Sequence, residues 1–116
     1  MSQTVYQHEV NFELVKGEFY DPIEIQMVDE DNVKVPITDV TSVVFQMYLD
    51  KDGRNLALEE TGTKDNTNSL LRYILTEADT LNLDAGYYFG RFKIVQNSKT
   101  RYAPQAGQFI RMKVIG

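Results

Sequence analysis

The sequence predicts an all-β protein, an antiparallel β-sandwich of about seven or eight short strands. Apolar and polar residues alternate along most of the chain, with the period expected of half-buried strands. Turn-forming residues, such as those at 50–53 and 97–99, separate the alternating segments. A third observation is the segment Asp84-Ala85-Gly86-Tyr87-Tyr88. It has the pattern of a tyrosine corner, which indicates that the sandwich is immunoglobulin-like.

Asp84, Gly86 and Tyr88 are the candidate residues of this structural corner. In such a corner, a tyrosine near the start of a late strand folds back and its hydroxyl donates to backbone a few residues upstream. Glycine permits the tight turn that precedes the strand. We therefore expect the Tyr88 ring to be buried and its hydroxyl to bond to backbone between Thr80 and Asp84.

Alternation defines three strands in the first half of the chain. Their inward-facing residues are Phe12 and Leu14, then Ile23, Ile25 and Met27, and then Val43, Phe45, Met47 and Leu49. The segment 33–37 contains Pro36, which has no amide donor, so this segment is predicted to be an edge or a connection. Leu56 and Leu58 suggest a further short strand, and residues 61–69, rich in Gly, Asn and Thr, predict a loop.

The second half begins with a predicted strand at 70–75, whose inward face the sequence leaves ambiguous. Residues 76–81 predict a helical turn with Thr76 as its N-cap. Two further strands follow, and Arg91, Lys93, Arg111 and Lys113 are expected on their solvent sides. The predicted core comprises Ile23, Ile25, Val43, Phe45, Met47, Tyr88, Phe92, Ile94, Ile110 and Met112.

Length and composition restrict the classes of function. A chain of 116 residues predicts one domain, residues 1–116, in which residues 1–10 are expected to fray. The net charge of −5 argues against nonspecific nucleic-acid binding. No cysteine is present, and no apolar run approaches the roughly 20 residues of a membrane helix. We expect a protein that has no membrane partner and is kept in a cytoplasm or packed into a particle assembled there.

Candidate catalytic and metal-binding residues are few. His8 is the only histidine and lies in the segment expected to fray. The carboxylates that could bind a cation or act in pairs are Asp29, Glu30 and Asp31, Asp50 with Asp52, Glu59 with Glu60, and Asp79 with Asp84. None fits the spacing of a calcium loop, and acidic residues are common in turns for local reasons. We therefore expect a protein that is not an enzyme and binds no cofactor or metal.

Three aromatic residues form the candidate interaction surface: Tyr48, Phe89 and Tyr102. Exposed rings mark contacts with sugars or proteins. Tyr48 and Phe89 fall on the outward parity of their strands, which makes them the stronger candidates. The alternative is that a loop or a partner strand covers these rings.

Five segments occur in a distinctive order: FELVKG at 12–17, PIEIQMVD at 22–29, ITDVTSVVFQM at 37–47, DAGYYFGRFKI at 84–94 and PQAG at 104–107. In this order and spacing they resemble the N-terminal domain of the upper baseplate proteins of phages that infect Gram-positive bacteria. The resemblance covers about residues 12–115. It implies an immunoglobulin-like scaffold domain of the virion, which docks to other tail or baseplate proteins and has no catalytic residues.

Two departures from this family limit the resemblance. Asp39 stands where the family often has glycine, and the sequence ends at Gly116, whereas relatives usually continue into helical or receptor-binding parts. A role in binding the host is therefore not implied.

Two functions remain open from the sequence. The first is a structural adaptor that docks through a sheet edge or end loops, either to other tail proteins or to copies of itself. The strand at 108–115 contains no proline and is expected to offer the more available edge. The alternative is a carbohydrate-binding module, which would need Tyr48, Phe89 or Tyr102 to form a flat, exposed platform.

Overall fold

The computed structural model describes residues 11–15, 17, 23–50, 53–103 and 109–115. The described residues form nine strands and one short helix. The elements are β1 (Asn11–Val15), β2 (Ile23–Gln26), β3 (Val40–Tyr48), β4 (Leu56–Thr61), β5 (Thr63–Asp65), β6 (Leu70–Tyr73), α1 (Glu77–Leu81), β7 (Gly86–Gln96), β8 (Lys99–Ala103) and β9 (Ile110–Ile115).

The strands form two sheets that pack face to face. The large sheet has the order β1-β9-β7-β3-β4. β8 and β9 pair with the same edge of β7, β9 with residues 86–90 and β8 with residues 92–96. The small sheet has the order β2-β6-β5. The predicted immunoglobulin-like sandwich is confirmed. One ladder differs from the antiparallel expectation, because β1 and β9 pair in parallel, with Asn11 opposite Arg111.

The strand count also differs from the prediction of seven or eight. β5 lies inside the segment predicted as a loop, and β8 follows the predicted turn at 97–99 as the hairpin partner of β7. Between β4 and β5 the chain crosses from the large sheet to the small sheet at Gly62, whose amide donates to the Val43 carbonyl at 2.9 Å. A Cβ here would lie 2.8 Å from the Arg72 carbonyl oxygen, so the crossing favours glycine.

The core lies between the sheets, and all ten residues predicted for it are buried there. At its centre the Phe45 ring stacks on Tyr73 at 5.1 Å and meets Phe92 at 5.2 Å. The unassigned inward face of the strand at 70–75 is supplied by Leu71, Tyr73 and Leu75.

The prediction for Leu49 is wrong, because its side chain is 54% exposed. β3 ends at Tyr48, and the chain enters a turn before Leu49 can reach the core.

The predicted helical turn is present as α1. The Thr76 side chain accepts from the Asp79 amide, and the Asp79 carboxylate accepts from the Thr76 amide, which together form a capping box. Thr80 on this helix is buried, and its hydroxyl accepts from the Gly17 amide at 2.9 Å. The helix is thereby tied to the chain that follows β1.

The prediction that the strand at 108–115 offers an available edge is wrong. Residues 110–115 form β9, which is paired with β7 on one side and with β1 on the other. Among the described strands of the large sheet, β1 pairs only with β9, β4 only with β3 and β8 only with β7, so these three have an open side.

The Pro36 segment is a connection. The Val35 amide donates to the Met27 carbonyl at 2.9 Å, and a single bridge joins Val28 to Lys34. Within the described ranges, no helix is both long and apolar enough to cross a membrane.

Candidate functional site

The tyrosine corner is built by the first residues of β7. The Tyr88 hydroxyl donates to the Asp84 carbonyl at 2.7 Å, so the acceptor lies within the predicted span. Gly86 has a φ of 146°, a backbone conformation that favours glycine. Burial, and then the nearby Asp84 charge, raise the pKa of Tyr88. The residues of the corner fix the conformation of the chain where β7 begins, which is a structural role.

The side of the large sheet that faces away from the small sheet is called here the outer face. Alternation along β7 places Tyr87, Phe89, Arg91 and Lys93 on it. The register then brings neighbours from other strands beside them. Phe89 lies opposite Tyr48 of β3 and Arg111 of β9, Arg91 opposite Gln46 of β3, and Lys93 opposite Tyr102 of β8. The three aromatic residues singled out in the sequence therefore lie on one surface.

Arg91 is the centre of this surface. Its guanidinium carbon lies 4.0 Å from the centroid of the Tyr102 ring, 5.0 Å from that of Tyr48 and 5.4 Å from that of Phe109. Arg91 also donates from Nη2 to the Tyr48 hydroxyl at 3.1 Å and from Nε to Gln46 Oε1 at 3.2 Å. A planar cation held by rings and by hydrogen bonds has a fixed orientation.

The expectation that Tyr48 is exposed is wrong. Its side chain points to the outer face as predicted but is only 7% exposed, because Arg91 and Phe109 pack over it. The Tyr48 hydroxyl donates to Gln46 Oε1 at 3.0 Å, and Gln46 Nε2 donates to Glu59 Oε2 at 2.7 Å. Arg91, Tyr48, Gln46 and Glu59 thus form a continuous polar network from β7 across β3 to β4.

The rings of the outer face do not lie in one plane. Phe109 meets Tyr48 at an interplanar angle of 73° and Phe89 at 78°. Phe89 and Tyr102 are half-buried, and Arg91 covers the Tyr102 ring. Tyr87, at 63%, is well exposed, with the Lys113 ammonium 5.6 Å from its ring centroid. Tyr48, Phe89 and Tyr102 therefore do not form a flat, exposed platform.

The candidate carboxylates serve local structure. Asp79 accepts from the Tyr73 hydroxyl at 2.6 Å as well as from the Thr76 amide, and burial and Asp79 together raise the pKa of Tyr73. Glu59 and Glu60 are consecutive in β4, so their side chains leave opposite faces of the sheet. Neither arrangement resembles two carboxyl groups facing each other across a cleft.

The acidic turns are occupied in a similar way. Asp29 Oδ1 accepts from the amides of Asp31 and Val33, and the Asp50 carboxylate accepts from the Arg54 amide and the Asn55 side chain. In the part of the chain that the structure describes, no group of three His, Cys, Asp or Glu side chains could hold a metal ion. His8 and Asp52 lie outside the described residues.

Phe109 and the charge of the outer face were missed by the sequence interpretation. Phe109 immediately precedes β9 and has the same parity as Arg111 and Lys113, which would have placed it on the outer face. The charge could have been found from the sequence, because no acidic residue follows Asp84, whereas six of the 12 lysines and arginines do. Four of these six lie on the outer face: Arg91, Lys93, Arg111 and Lys113.

No protein-family model and no curated protein matches the sequence. Solved structures do match. CopC from Methylosinus trichosporium OB3b is similar at a TM-score of 0.53 and 10% identity, over 97% of this chain and 93% of that chain. The endo-beta-1,4-mannanase from Thermotoga petrophila is similar at 0.53 and 10% identity, over 100% of this chain but only 20% of that chain. The fibronectin(III)-like modules of CbhA from Clostridium thermocellum match at 0.44 and 17% identity, over 96% and 92%. At these identities the first two matches establish the fold alone: the chain is a β-sandwich module.

Proposed function

We propose that the protein is a non-enzymatic structural adaptor, a β-sandwich domain that docks to other proteins of a phage tail or baseplate. The observation that carries the proposal is the outer face of the large sheet, where Arg91 is held among Tyr48, Tyr102 and Phe109. Tyrosine, phenylalanine and arginine are enriched where proteins bind one another. A surface whose side chains are already fixed loses little conformational entropy when it binds.

The geometry of the rings favours a protein partner over a carbohydrate. A sugar ring stacks on a flat exposed aromatic face, whereas Phe89 and Phe109 meet edge to face and Tyr102 is covered by a guanidinium. Around them lie exposed cations, including Arg111 and Lys113. An uneven, partly charged surface of this kind suits the side chains of another protein.

The phage role rests on the order of the five segments that resemble baseplate domains. Four of them fall largely within the described residues and form β1, β3 and β7 of the large sheet and β2 of the small sheet. The location in the virion follows from that role.

A carbohydrate-binding module is the second candidate. Tyr87 favours it, because its ring is 63% exposed on the outer face. Titration with cell-wall glycans separates the two candidates, since glycan binding should saturate and disappear in Tyr87→Ala.

The test of the proposal is co-purification with phage tail and baseplate proteins. We expect one of them to co-elute with the chain in gel filtration, and Arg111→Glu with Lys113→Glu to abolish that co-elution. Lys34→Glu, an exposed substitution in the hairpin at 27–35, is the control and should co-elute normally. The proposal fails if no such protein co-elutes. A hydrolytic activity that one carboxylate substitution abolishes would overturn its non-enzymatic part.

A further inference from the structure

Positive and negative charges are segregated along this chain. All 17 acidic residues lie at or before Asp84, together with six cations, so that part has a formal charge of −11. The remainder has six cations and no acid, a formal charge of +6. A net charge of −5 for the whole chain therefore hides a strongly polar distribution.

The fold converts this segregation along the sequence into segregation across the large sheet. β7, β8 and β9 are neighbours in the sheet, and each carries two of the six cations. β3 carries no charge, and β4, beyond it, carries Glu59 and Glu60 with no cation. Among the described residues, none of the six cations forms an ion pair with an acid of its own chain.

β4, which carries two acids and no cation, and β8, which carries two cations and no acid, each have an open side. β4 spans six residues and β8 spans five, and each pairs with one strand of the described structure. Glu60 lies opposite Phe45 and Arg101 lies opposite Ile94, so both charges are on the inner side of their strands. Charged residues of this kind discourage pairing between edges that carry the same charge.

We propose that the chain docks head to tail with a second copy of itself, with β4 of one copy beside β8 of the next. Two β4 edges would bring four glutamates together, and two β8 edges would bring together Lys99 and Arg101 from both copies. β1, the third strand with an open side, contains one charged residue, Glu13. Among the pairings of these three strands, β4–β8 is the one that brings two acidic residues beside two basic residues, so the charges favour it most strongly.

Docking of β4 on β8 uses different surfaces of the two copies. A contact of this type repeats until it closes into a ring or extends as a filament. The backbone amides and carbonyls of the two open sides would complete each other, as in the addition of a strand to a sheet.

A second copy fits better than another anionic partner because the complementary acidic edge is present on the same molecule. This inference deepens the proposed docking function and rests on it, since it names one partner. Its failure would leave docking to a different tail protein intact, because that contact is read out by co-elution with the other protein.

The experiment measures self-association by sedimentation velocity at low and at high salt. Wild type is expected to associate more as its concentration rises at about 0.02 M salt, and to be monomeric at about 1 M salt, where the Debye length falls to about 3 Å. Glu59→Lys with Glu60→Lys makes both edges basic, and Lys99→Glu with Arg101→Glu makes both acidic. We expect either pair to weaken self-association by roughly a hundredfold or more.

Two combinations of these substitutions provide the decisive controls: a mixture of the two double variants, and a single chain that carries all four substitutions. The two double variants, mixed in equal amounts, should associate with each other, because each supplies the edge that the other lacks. One chain carrying all four substitutions keeps the charge of −5 and should regain self-association. Glu30→Lys with Asp31→Lys has the same charge change as the β4 variant but lies in an exposed turn, and should behave as wild type.

Circular dichroism and urea unfolding of each variant establish that it is folded. The proposal is overturned if wild type stays monomeric at low salt and high concentration. It is equally overturned if folded edge variants associate as wild type does, or if neither the mixture nor the fourfold variant restores association. Association with an added nucleic acid in place of self-association would also contradict it.

Discussion

The inner and outer faces of the large sheet are formed by alternate residues of the same central strands, β3 and β7, yet the two faces are stabilised differently. On the inner face, Phe45 and Phe92 are fully buried against the small sheet. On the outer face, the described residues that cover Phe89 and Arg91 are side chains of the same sheet and Phe109. Alternation assigns each residue to a face, but it does not say what packs against that face.

The two faces also differ in chemistry. The inner layer is apolar at its centre and gains its stability from burial. The outer face holds a cation, an amide, a carboxylate and several rings; Tyr48 and Gln46 are buried in this network, while Arg91 and Glu59 remain partly in contact with water. We therefore expect substitutions on the inner face to cost more than those on the outer face.

The largest effect is expected from Phe45→Ala. The ring is fully buried and contacts both Tyr73 and Phe92, so its removal should lower the free energy of unfolding by about 3–5 kcal/mol. Urea unfolding measures the loss. Leu49→Ala, at the exposed residue directly after the same strand, is the matched control and should cost less than about 1 kcal/mol. Equal losses at the two positions would mean that burial does not determine the cost of these substitutions.

A smaller loss is expected from Tyr88→Phe, which keeps the buried ring and removes only the hydroxyl. The bond to the Asp84 carbonyl should contribute about 1 kcal/mol, or up to roughly 3 kcal/mol if the carbonyl is left unpaired. Tyr87→Phe removes an exposed hydroxyl from the neighbouring residue and should change stability by less than about 0.5 kcal/mol. Urea curves of Tyr88→Phe that overlay wild type would show that the corner bond contributes nothing.

On the outer face, Arg91→Ala is expected to cost about 1–2 kcal/mol, because it removes a cation from among three rings. Lys93→Ala, two residues along the same face, should stay within about 0.5 kcal/mol. Arg91→Lys keeps the charge and should not restore stability, since an ammonium cannot reproduce the planar contacts. A full rescue by lysine would mean that charge alone matters at this position.

The smallest expected effect concerns acid stability. Asp39 accepts from Gln96 Nε2 at 2.7 Å and from Asn97 Nδ2 at 3.0 Å, and these bonds, the Gln96 bond first, lower the pKa of Asp39 below 3.8. Its contribution is therefore present above about pH 4 and is lost as the pH falls through the lower folded-state pKa. Asp39→Asn should flatten the decline of stability with acid, as seen in thermal melts between pH 5 and about 2. Glu30→Gln, in an exposed turn, should leave that decline as steep as in wild type.

Much of the inner face could be predicted from the sequence because its signals are local. The alternation around Phe45 and Ile94 and the cap at Thr76 are each legible within a few residues. The outer face could not be predicted to the same depth. The burial of Tyr48 depends on Arg91, which is 43 residues away along the chain.

The edges show the same limit. The strand at 110–115 has the sequence of an ordinary strand, and nothing in that segment indicates that β1 lies along its open side. The same limit applies to the candidate site. Parity along the strands predicts that Tyr48 and Phe89 face outward, but the exposure of each ring depends on which strands lie beside it.

The position of β9 has a consequence for how the chain folds. β9 is the last described strand, yet it lies second in the sheet, between β1 and β7, and its register joins Asn11 to Arg111. Contacts over such separations are closed late and slow the search for the native topology. Until β9 is in place, β1 and β7 each present an unpaired edge to any other strand. We therefore expect the chain to be most prone to aggregation during folding before β9 has paired, because a strand of a neighbouring chain can then pair with β1 or β7 in its place.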